Sequence, residues 1–529
     1  MAMFVHQLIE QSARRVPHHV ALKYKEEELT YAALQNAVAA FASGVVGLGL
    51  GRSDRVAIYA EKRFETVIAM FGAAAAGGVY VPINPLLKGD QVAYILADCD
   101  VRIFVTTADR LAAVAPSLQR CARLEVVVVI GDALAVELPA HVKTVAWSAL
   151  QLAPSHDPHR VIDGDMAAIL YTSGSTGNPK GVVLSHRNIV AGAQSVAEYL
   201  ALSEADRVLA VLPLSFDYGM NQLTSMFLVG GCAVLMNFLF PRDIITLVAK
   251  EKITGLAAVP PLWIQLAGLA WPESVATHLR YFTNSGGHLP KEILRQLRAA
   301  LPATQPFLMY GLTEAFRSTY LPPEQIDHRI DSMGKAIPNA EIVVVREDGS
   351  LCAPGETGEL VHRGVLVSLG YWNDPAKTAE RFKPSPVQSP ALPSTELAVW
   401  SGDTVKMDAD GYVYFVTRHD EMIKTSGYRV SPTEVEEGIY ATQLVGEVIA
   451  FGVKHPVMGQ AIAVVVTAAV GCELTEAALK AECQQRFPSY MVPAHIEIMA
   501  EALPRNANGK IDRKRLSSER QQLFTGDPA

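Results

Sequence analysis

Hydroxyl side chains, glycines and one lysine are concentrated in the segment YTSGSTGNPKG, residues 171–181. The segment starts where the apolar run MAAILY ends, and GVVLSH follows its lysine; both runs are typical of buried strands. Because no helix follows Lys180, the segment does not match the Walker A phosphate loop. We expect a hairpin loop whose glycines, amides, hydroxyls and single positive charge could bind phosphate oxygens. An ordinary hydrophilic hairpin is the alternative interpretation.

Short apolar strands and helix-like segments alternate on both sides of this loop. RVAIYA, VYVPIN, VRIFVTT and LEVVVVIG have the pattern of strands, and helix-like segments separate them. Continuous apolar strands between helices indicate sheets that are covered on both faces. From about residue 340, shorter strands with more turn residues favour a small antiparallel β-barrel. From about residue 420, the order helix, strand, strand, helix predicts a compact α+β unit.

Length, charge and cysteine spacing exclude several classes of protein. A chain of 529 residues is too long for one core, so at least two domains are expected. The net charge of −8, from 46 basic and 54 acidic residues without long like-charge blocks, argues against nucleic-acid binding. The six cysteines are far apart and form no C-x-x-C pair, which favours a reduced, cytoplasmic protein without structural zinc. The sequence shows neither a signal peptide nor an apolar run that is long enough to span a membrane.

Four motifs in one order give the chain a resemblance to a known family. They are YTSGSTGNPKG (171–181), MYGLTEA (309–315), the stretch from WSGDT to SPTEVE (400–436) and PRNANGKIDRKRL (504–516). Together they resemble the adenylate-forming superfamily of acyl-CoA synthetases, amino-acid adenylation domains and firefly-type luciferases. The resemblance implies an α/β fold with an AMP-binding N-terminal domain, residues 1–419, built from two α/β subdomains plus the small barrel. It also implies a small mobile α+β C-terminal domain, residues 420–529.

The resemblance also implies an ATP site with Mg²⁺. The residues that match its nucleotide-binding positions are Thr172, Ser173, Gly174, Ser175, Thr176, Gly177, Lys180, Gly286, Gly287, Tyr310, Gly311, Asp403 and Arg418. Thr313 would donate to the α-phosphate, and Glu314 would ligate Mg²⁺, a hard cation that takes few carboxylates. Tyr310 would stack on adenine, and Asp403 would accept the ribose hydroxyls. A turn residue at Asp403 and a helix N-terminal carboxylate at Glu314 are the ordinary alternatives.

A second set of positions implies two half-reactions. Lys510, which would otherwise be a solvated charge in an NGK turn, is implied to contact the substrate carboxylate and the α-phosphate. The family then rotates its C-terminal domain, and Asp420 occupies the hinge position. Gly427 would line the tunnel for the pantetheine thiol. The expected cosubstrates are therefore ATP and either CoA or a phosphopantetheinyl carrier protein.

The acid-binding pocket is expected to contain Phe216, Asp217, Tyr218, Trp263, Ser285, Met309 and Arg317. Asp217 matches the aspartate that holds the substrate ammonium in amino-acid adenylation domains, but it would equally suit a cap on the helix that follows. Arg317 could bind a second acid group, pair with Asp217 or be an ordinary exposed arginine. Phe216, Trp263 and Met309 favour a pocket of modest depth for a small carboxylic acid.

Three functions remain open, and a ligase is favoured. The leading hypothesis is an AMP-forming acyl-CoA synthetase, and the alternative is an enzyme that loads an amino acid onto a carrier protein. A luciferase-like oxygenase and a non-catalytic binding protein are less favoured, the latter because Lys180, Glu314, Asp403 and Lys510 are all present. A narrower resemblance links MYGLTEAFRSTYLPPEQID to acyl-CoA ligases of bacterial exosortase systems. A monomer or a homodimer is expected.

Overall fold

The structure is a computed structural model that describes residues 2–131, 136–150, 155–172, 179–418, 421, 423–425, 428–506 and 509–524. Within these residues the chain forms three sheets, which we call the large sheet, the second sheet and the C-terminal sheet. The helices that cover them are Gln7–Arg15, Tyr31–Gly47, Phe64–Ala75, Gly89–Asp98, Ala108–Val114, Trp147–Leu150, His186–Tyr199, Asp217–Val229, Pro241–Lys250, Pro260–Ala267, Lys291–Ala300, Pro375–Arg381, Pro432–Tyr440, Glu476–Arg486 and Arg513–Glu519. The predicted mixed α/β class is confirmed.

The large sheet joins a parallel half to an antiparallel half. Its strands, in spatial order, are Ala340–Val345, Thr357–Gly364, Leu397–Met407, Val413–Arg418, Ser332–Ala336, Thr319–Leu321, Gln305–Tyr310, Tyr281–Asn284, Gly255–Ala258, Arg207–Ala210, Cys232–Leu235, Val20–Tyr24 and Glu27–Thr30, with Phe382–Pro384 beside Leu397–Met407. The strands from Gln305–Tyr310 to Val20–Tyr24 run parallel to their neighbours. They are short and almost entirely buried, as expected for parallel strands with helices on both faces.

The second sheet is parallel except for one hairpin at its edge. Its strands, in spatial order, are Lys143–Ala146, Val126–Ile130, Val101–Thr107, Arg55–Tyr59, Val79–Pro82, Met166–Thr172 and Lys180–Ser185. Helices Tyr31–Gly47, Phe64–Ala75 and Asp217–Val229 share one buried core with strands of both sheets. In this layer the rings of Phe71 and Phe227 meet edge to face, with centroids 5.1 Å apart. The two α/β units are therefore packed through helices rather than through sheet edges.

The antiparallel region near residues 332–418 does not form a closed barrel in the described part of the chain. Strand Ala340–Val345 pairs with Thr357–Gly364 and with no strand on its other edge. The strand that would close the barrel, Ser332–Ala336, already pairs with Thr319–Leu321 on one edge and Val413–Arg418 on the other. Because a strand has only two hydrogen-bonding edges, closure is impossible. The expected antiparallel strands are present, but instead of the expected barrel they form an open extension of the large sheet.

The last hundred residues form an α+β unit with its own core. Its sheet contains Tyr428–Val430, Ile423–Thr425, Gly459–Ala468 and Val445–His455, and His495–Met499 pairs with Gly459–Ala468. Apolar residues of Pro432–Tyr440 and Glu476–Arg486 pack on one face of this sheet. Among the described residues, no helix combines the length and the hydropathy that crossing a membrane requires. The domain boundary near residue 420 is compatible with this arrangement and stays a prediction.

Gly192 packs against Phe316 next to the site, and a substitution at Gly192 measures how tightly the core is packed there. A Cβ at Gly192 would lie 2.2 Å from Cδ1 of Phe316, which is fully buried. We therefore expect Gly192→Ala to lower the free energy of unfolding by about 1–3 kcal/mol through overpacking. Gly268→Ala is the matched control, because that helix-end glycine has φ −80° and its nearest atom lies 4.0 Å from a built Cβ. Urea unfolding measures both; equal stability of the two variants would contradict the packing argument.

Candidate active site

Four neighbouring parallel strands of the large sheet end at one cleft. They are Arg207–Ala210, Gly255–Ala258, Tyr281–Asn284 and Gln305–Tyr310, and each pairs in parallel with the next. Parallel strands place their carboxyl ends at the same edge, where ligands of open α/β sheets bind. The segments that follow these strands contain the predicted substrate and nucleotide residues. The topology therefore brings together stretches that are up to a hundred residues apart in sequence.

A cavity of about 2350 Å³ lies between this edge and the C-terminal unit. Most of the predicted site residues that the structure describes line it: Thr172, Lys180, Phe216, Asp217, Ser285, Gly286, Gly287, Met309, Tyr310, Gly311, Thr313, Glu314, Arg317, Asp403 and Lys510. The roles of these residues stay predictions, but their convergence on one cavity is a structural fact.

The two strands that flank the predicted phosphate loop pair as a hairpin, as expected. Strands Met166–Thr172 and Lys180–Ser185 are antiparallel, and Thr172 pairs with Lys180. The Nζ atom of Lys180 lies 5.4 Å from the centre of the Tyr371 ring, so the lysine faces the cavity beside an aromatic wall. Seven predicted residues lie outside the described part of the chain: Ser173, Gly174, Ser175, Thr176, Gly177, Asp420 and Gly427.

Glu314 is held by a tyrosine that the sequence motifs did not identify. The hydroxyl of Tyr371 donates to Oε1 of Glu314 at 2.5 Å. Burial, together with the nearby carboxylate of Glu314, raises the pKa of Tyr371 well above its usual value, so the hydroxyl stays protonated and donates. Tyr371 thus connects Glu314 on one side with Lys180 on the other. Its only sequence signal was an aromatic pair in SLGYWND, which is more often a packing feature.

Tyr310 and Asp403 approach each other across the antiparallel part of the sheet. The Tyr310 hydroxyl donates to Oδ2 of Asp403, whose side chain is buried. Backbone pairing places Arg418 opposite Asp403 on the neighbouring strand, although the Arg418 side chain lies outside the described atoms. The tyrosine ring and the carboxylate therefore form one wall of the cavity, and their roles toward adenosine stay predictions.

Lys510 enters the cavity from the C-terminal unit. A Cβ at Gly286, which has φ +83°, would lie 3.1 Å from Cε and 3.5 Å from Nζ of Lys510. The Lys510 Nζ also lies 5.6 Å from the centre of the Phe216 ring. A side chain at Gly286 would thus both strain the backbone and displace the lysine. The two units also meet where His288 bonds to Glu437, a contact that sequence reasoning missed.

The structure resolves the alternatives for Asp217 and Arg317. Nη1 of Arg317 lies 2.7 Å from Oδ2 of Asp217, and both side chains are almost completely buried. The exposed-arginine interpretation is therefore wrong, and the pairing interpretation is confirmed. The helix-cap interpretation is also wrong, because Asp217 is the first residue of helix Asp217–Val229 and Phe216, at the N-cap, makes no capping bond.

Trp263 and Tyr218 are not part of the cavity wall that was expected for them. Trp263 is fully buried in the helix Pro260–Ala267, and its Nε1 donates to the carbonyls of Ala258 and Thr283. An indole N–H needs an acceptor when it is buried, and both acceptors lie on the sheet beneath the helix. Tyr218 instead lines a separate small cavity of about 30 Å³ under the main cleft. Both residues shape the floor under the pocket rather than its surface.

The side chains around Glu314 limit the kind of metal ion that could bind there. No cluster of three or more His, Cys, Asp or Glu side chains in the described part of the chain could hold an ion. Glu314 therefore offers a single carboxylate to the cavity, with Thr313 beside it. That set fits Mg²⁺, which keeps several waters and binds through one or two carboxylates together with substrate phosphates. It does not fit a metal that is held by protein ligands alone.

Comparisons with known proteins agree with this geometry. The family described as AMP-binding enzyme matches residues 9–372, and the family described as AMP-binding enzyme C-terminal domain matches residues 434–510. The chain is 30% identical to L-proline--[L-prolyl-carrier protein] ligase of Pseudomonas fluorescens, over 97% of this chain and 99% of that protein. It is 29% identical to tyrocidine synthase 3 of Brevibacillus parabrevis over 98% of this chain, but it spans only 8% of that protein's length.

Among solved structures, ATP-bound MatB from Rhodopseudomonas palustris has the same fold. Its TM-score is 0.85 at 24% identity, and the match covers 98% of this chain and 100% of the MatB chain. At this identity the likeness establishes the fold, including both the large N-terminal region and the small C-terminal unit.

A buried histidine behind the site gives a prediction about acid stability. Nδ1 of His362 lies 2.9 Å from the hydroxyl of Ser318, next to Arg317, and burial lowers the pKa of His362 to about 3. Since the folded pKa is depressed, the unfolded chain takes up the proton first as the pH falls below about 6.5. His362 therefore lowers the free energy of unfolding by about 1.4 kcal/mol per pH unit between roughly pH 6 and pH 3.

His362→Asn should reduce the slope by that amount, and urea unfolding at pH 7, 6 and 5 measures it. Burial also lowers the pKa of His6 and of His186 to about 4, so these two histidines keep their own contributions in the variant. His328→Asn changes an exposed histidine and should leave the slope as in the wild type. If His362→Asn and the wild type lose stability equally between pH 7 and pH 5, His362 is not buried in its neutral form.

Proposed function

Because the chain belongs to the AMP-binding enzyme family, the adenylate-forming superfamily that its motifs indicated, we propose that it is an ATP-dependent carboxylate–thiol ligase. It joins a carboxylic acid to ATP as an acyl-adenylate with release of pyrophosphate, and then transfers the acyl group to a pantetheine thiol. The observation that carries the proposal is the position of Lys510 in the cavity beside Gly286 and Phe216. CoA is the proposed thiol acceptor.

In the first half-reaction a carboxylate oxygen bonds to the α-phosphorus, and the bond from that phosphorus to the leaving pyrophosphate breaks. Negative charge builds on the phosphoryl oxygens, so fixed donors and positive charges stabilise the transition state. Lys510 neutralises charge at the carboxylate and the α-phosphate, and Lys180 does so at the leaving phosphates. The hydroxyl of Thr313 donates to Oδ1 of Asp217 at 3.2 Å, so its donation to the α-phosphate requires a rotation.

Mg²⁺ is proposed to enter with the nucleotide. When bound, it supplies positive charge that neutralises the phosphate oxygens of the leaving pyrophosphate. Glu314 would hold it, and the hydrogen bond from Tyr371 fixes the orientation of that carboxylate. Asp403, another carboxylate that lines the cavity, accepts a hydrogen bond from Tyr310 and lies on the proposed adenosine side.

In the second half-reaction the thiol sulfur attacks the acyl carbonyl, and AMP leaves. Lys510 occupies the cavity between the two units, so the thiol needs another approach. We propose that residues 420–529 rotate as a domain about Asp420, which removes Lys510 and presents Gly427 to the pantetheine. A glycine leaves room for the thiol arm, whereas a side chain would narrow the tunnel.

Loading of a carrier protein is the second candidate for the acceptor step. It is favoured by the match to the prolyl-carrier protein ligase along almost its whole length. The reduced, cytoplasmic location belongs to the proposal as well, and all six cysteines are free thiols. The narrower resemblance to ligases of exosortase systems, and the monomeric or homodimeric state, stay predictions.

Lys510→Ala should separate the two half-reactions. Pyrophosphate exchange should fall about 10²–10³-fold, because a charge contact made mainly in the transition state is lost. Thioester formation from supplied acyl-adenylate should stay near the wild-type rate. Lys454→Ala, an exposed lysine of the same unit outside the cavity, is the control and should leave both steps unchanged. Equal losses in both steps for Lys510→Ala would show that the lysine does not act in adenylation alone.

Tyr371→Phe should weaken adenylation through the metal site. Loss of the hydrogen bond to a charged carboxylate costs about 1.5–3 kcal/mol, so kcat/KM should fall roughly ten-fold to a hundred-fold. The concentration of Mg²⁺ that gives half-maximal pyrophosphate exchange should rise at the same time. Tyr412→Phe changes a buried tyrosine outside the cavity lining and serves as the control. If the Mg²⁺ dependence of Tyr371→Phe equals that of the wild type, the Tyr371 hydroxyl does not contribute to Mg²⁺ binding.

A further inference from the structure

The acid-binding side of the cavity contains a buried ion pair that joins two distant segments. Asp217 opens helix Asp217–Val229, whereas Arg317 follows the strand Gln305–Tyr310. Their charged atoms lie 2.7 Å apart, with 4% and 2% of the side chains exposed. Both residues line the cavity that also contains Lys510. The pair is therefore part of the surface that meets the substrate.

Both oxygens of the Asp217 carboxylate are already engaged. Oδ2 accepts from Nη1 of Arg317, and Oδ1 accepts from the hydroxyl of Thr313 at 3.2 Å. An ammonium group at this carboxylate would either share it with the guanidinium or displace the guanidinium. Sharing places two positive charges side by side in a buried site, and displacement leaves the buried Arg317 without its counter-ion, so both are unfavourable. The geometry thus works against a substrate that carries an α-ammonium group.

Arg317 has donors that the protein does not use. Its Nη1 bonds to Asp217 and to the carbonyl of Phe316, but Nε and Nη2 are buried and have no partner among the described residues. A guanidinium has five N–H groups in a fixed plane, so the bonds at Nη1 do not use the N–H groups of Nε and Nη2. Buried polar groups in native proteins almost always have a partner. Arg317 lines the cavity, so an acceptor that binds there reaches these buried donors when the groups that cover them shift.

The plane of the guanidinium is held rigidly. The backbone turns sharply at Phe316, which has φ +57° and ψ −50°, and the amide of Arg317 donates to the carbonyl of Ala315. This is a strained γ-turn. The guanidinium carbon lies 4.6 Å from the ring centre of Tyr218, which covers one of its faces. A donor group that is fixed in this way loses little conformational freedom when it binds a ligand.

The space next to Arg317 favours a short acid. Met309 lines both the main cavity and the small cavity of about 30 Å³ beneath it. That small cavity has room for about one water molecule. Phe216 borders the main cavity on the side of Lys510. A long alkyl chain does not fit into that small cavity.

We propose that Arg317 selects a short carboxylic acid that lacks an α-ammonium group and carries an uncharged oxygen acceptor, a hydroxyl or a carbonyl. This rests on the proposed ligase function and defines its substrate class. The acceptor oxygen binds Nε and Nη2 of Arg317 while Asp217 keeps its own contact with Nη1. The charges of Asp217 and Arg317 already balance, so a second carboxylate would leave an excess negative charge in a buried place.

Binding of inert acyl-adenylate mimics tests this proposal without turnover. The probes are acyl sulfamoyl adenosines, in which a sulfamate replaces the phosphate, with four-carbon acyl groups of one size: butanoyl, 2- and 3-hydroxybutanoyl, 3-oxobutanoyl, 2-aminobutanoyl and succinyl. Calorimetry with the full chain gives the Kd of each. At least one hydroxy or oxo probe should bind about ten-fold or more tightly than the butanoyl probe, and the amino probe should bind most weakly.

The variant Asp217→Leu/Arg317→Met removes both charges together and avoids a lone buried charge. In it the butanoyl probe should bind at least as tightly as the hydroxy and oxo probes. If the amino or the succinyl probe binds most tightly to the wild type, or if all probes bind equally, the proposal is overturned. These rankings come from the wild type, so the test does not depend on the folding of the variant. If no probe binds, and AMP does not bind either, the proposed ligase function itself fails.

Discussion

The ion pair between Asp217 and Arg317 fixes the relative position of two walls of the cavity. One wall begins at the helix Asp217–Val229, and the other is the turn that also carries Thr313 and Glu314. A buried ion pair contributes little net stability, but breaking it is costly, so it restricts the packings that are compatible with the fold. Because Thr313 bonds to the same carboxylate, the phosphate side and the acid side of the site are coupled through Asp217. The pair thus determines both the shape and the polarity of the pocket.

Local sequence features were sufficient to predict many of the strands and helices, whereas the site residues were assigned through the family resemblance. Short apolar runs such as RVAIYA and VRIFVTT identify strands between helices, and these two runs pair in parallel. The hairpin at residues 171–181 was likewise predictable, because a strand-like run lies on each side of a glycine-rich turn. Lys510 was assigned through the family resemblance, since an NGK turn by itself does not predict that its lysine reaches a distant cavity.

Side-chain partners across the fold could not be predicted in the same way. Arg317 and Asp217 are a hundred residues apart, and the sequence left three interpretations for the arginine. The bond from Tyr371 to Glu314 depends on residues 369–372 lying along the edge strand Lys180–Ser185 of the second sheet, which no local pattern encodes. Trp263 is a large aromatic residue of the kind that often lines pockets, but its Nε1–H finds its acceptor, the carbonyl of Ala258, inside the core. Strand pairing could not be predicted either. The antiparallel strands were identifiable from the sequence, but whether they close into a barrel depends on which strand edges are already paired, and both edges of Ser332–Ala336 are.

The C-terminal unit combines a rigid interior with an exposed contact to the rest of the protein. Inside it, Arg513 bridges Glu421 and Glu436, and Arg505 bonds to Glu447 and to the carbonyl of Gly509. These contacts connect the turn that carries Lys510 to the start of the unit near residue 421. The bond between His288 and Glu437 is partly solvated, with 39% and 24% of the side chains exposed. A single partly exposed contact contributes little, whereas the contacts inside the unit join several charged side chains. Rotation of the unit would therefore break the exposed contact first and carry Lys510 away with its turn intact, as alternation between two half-reactions requires.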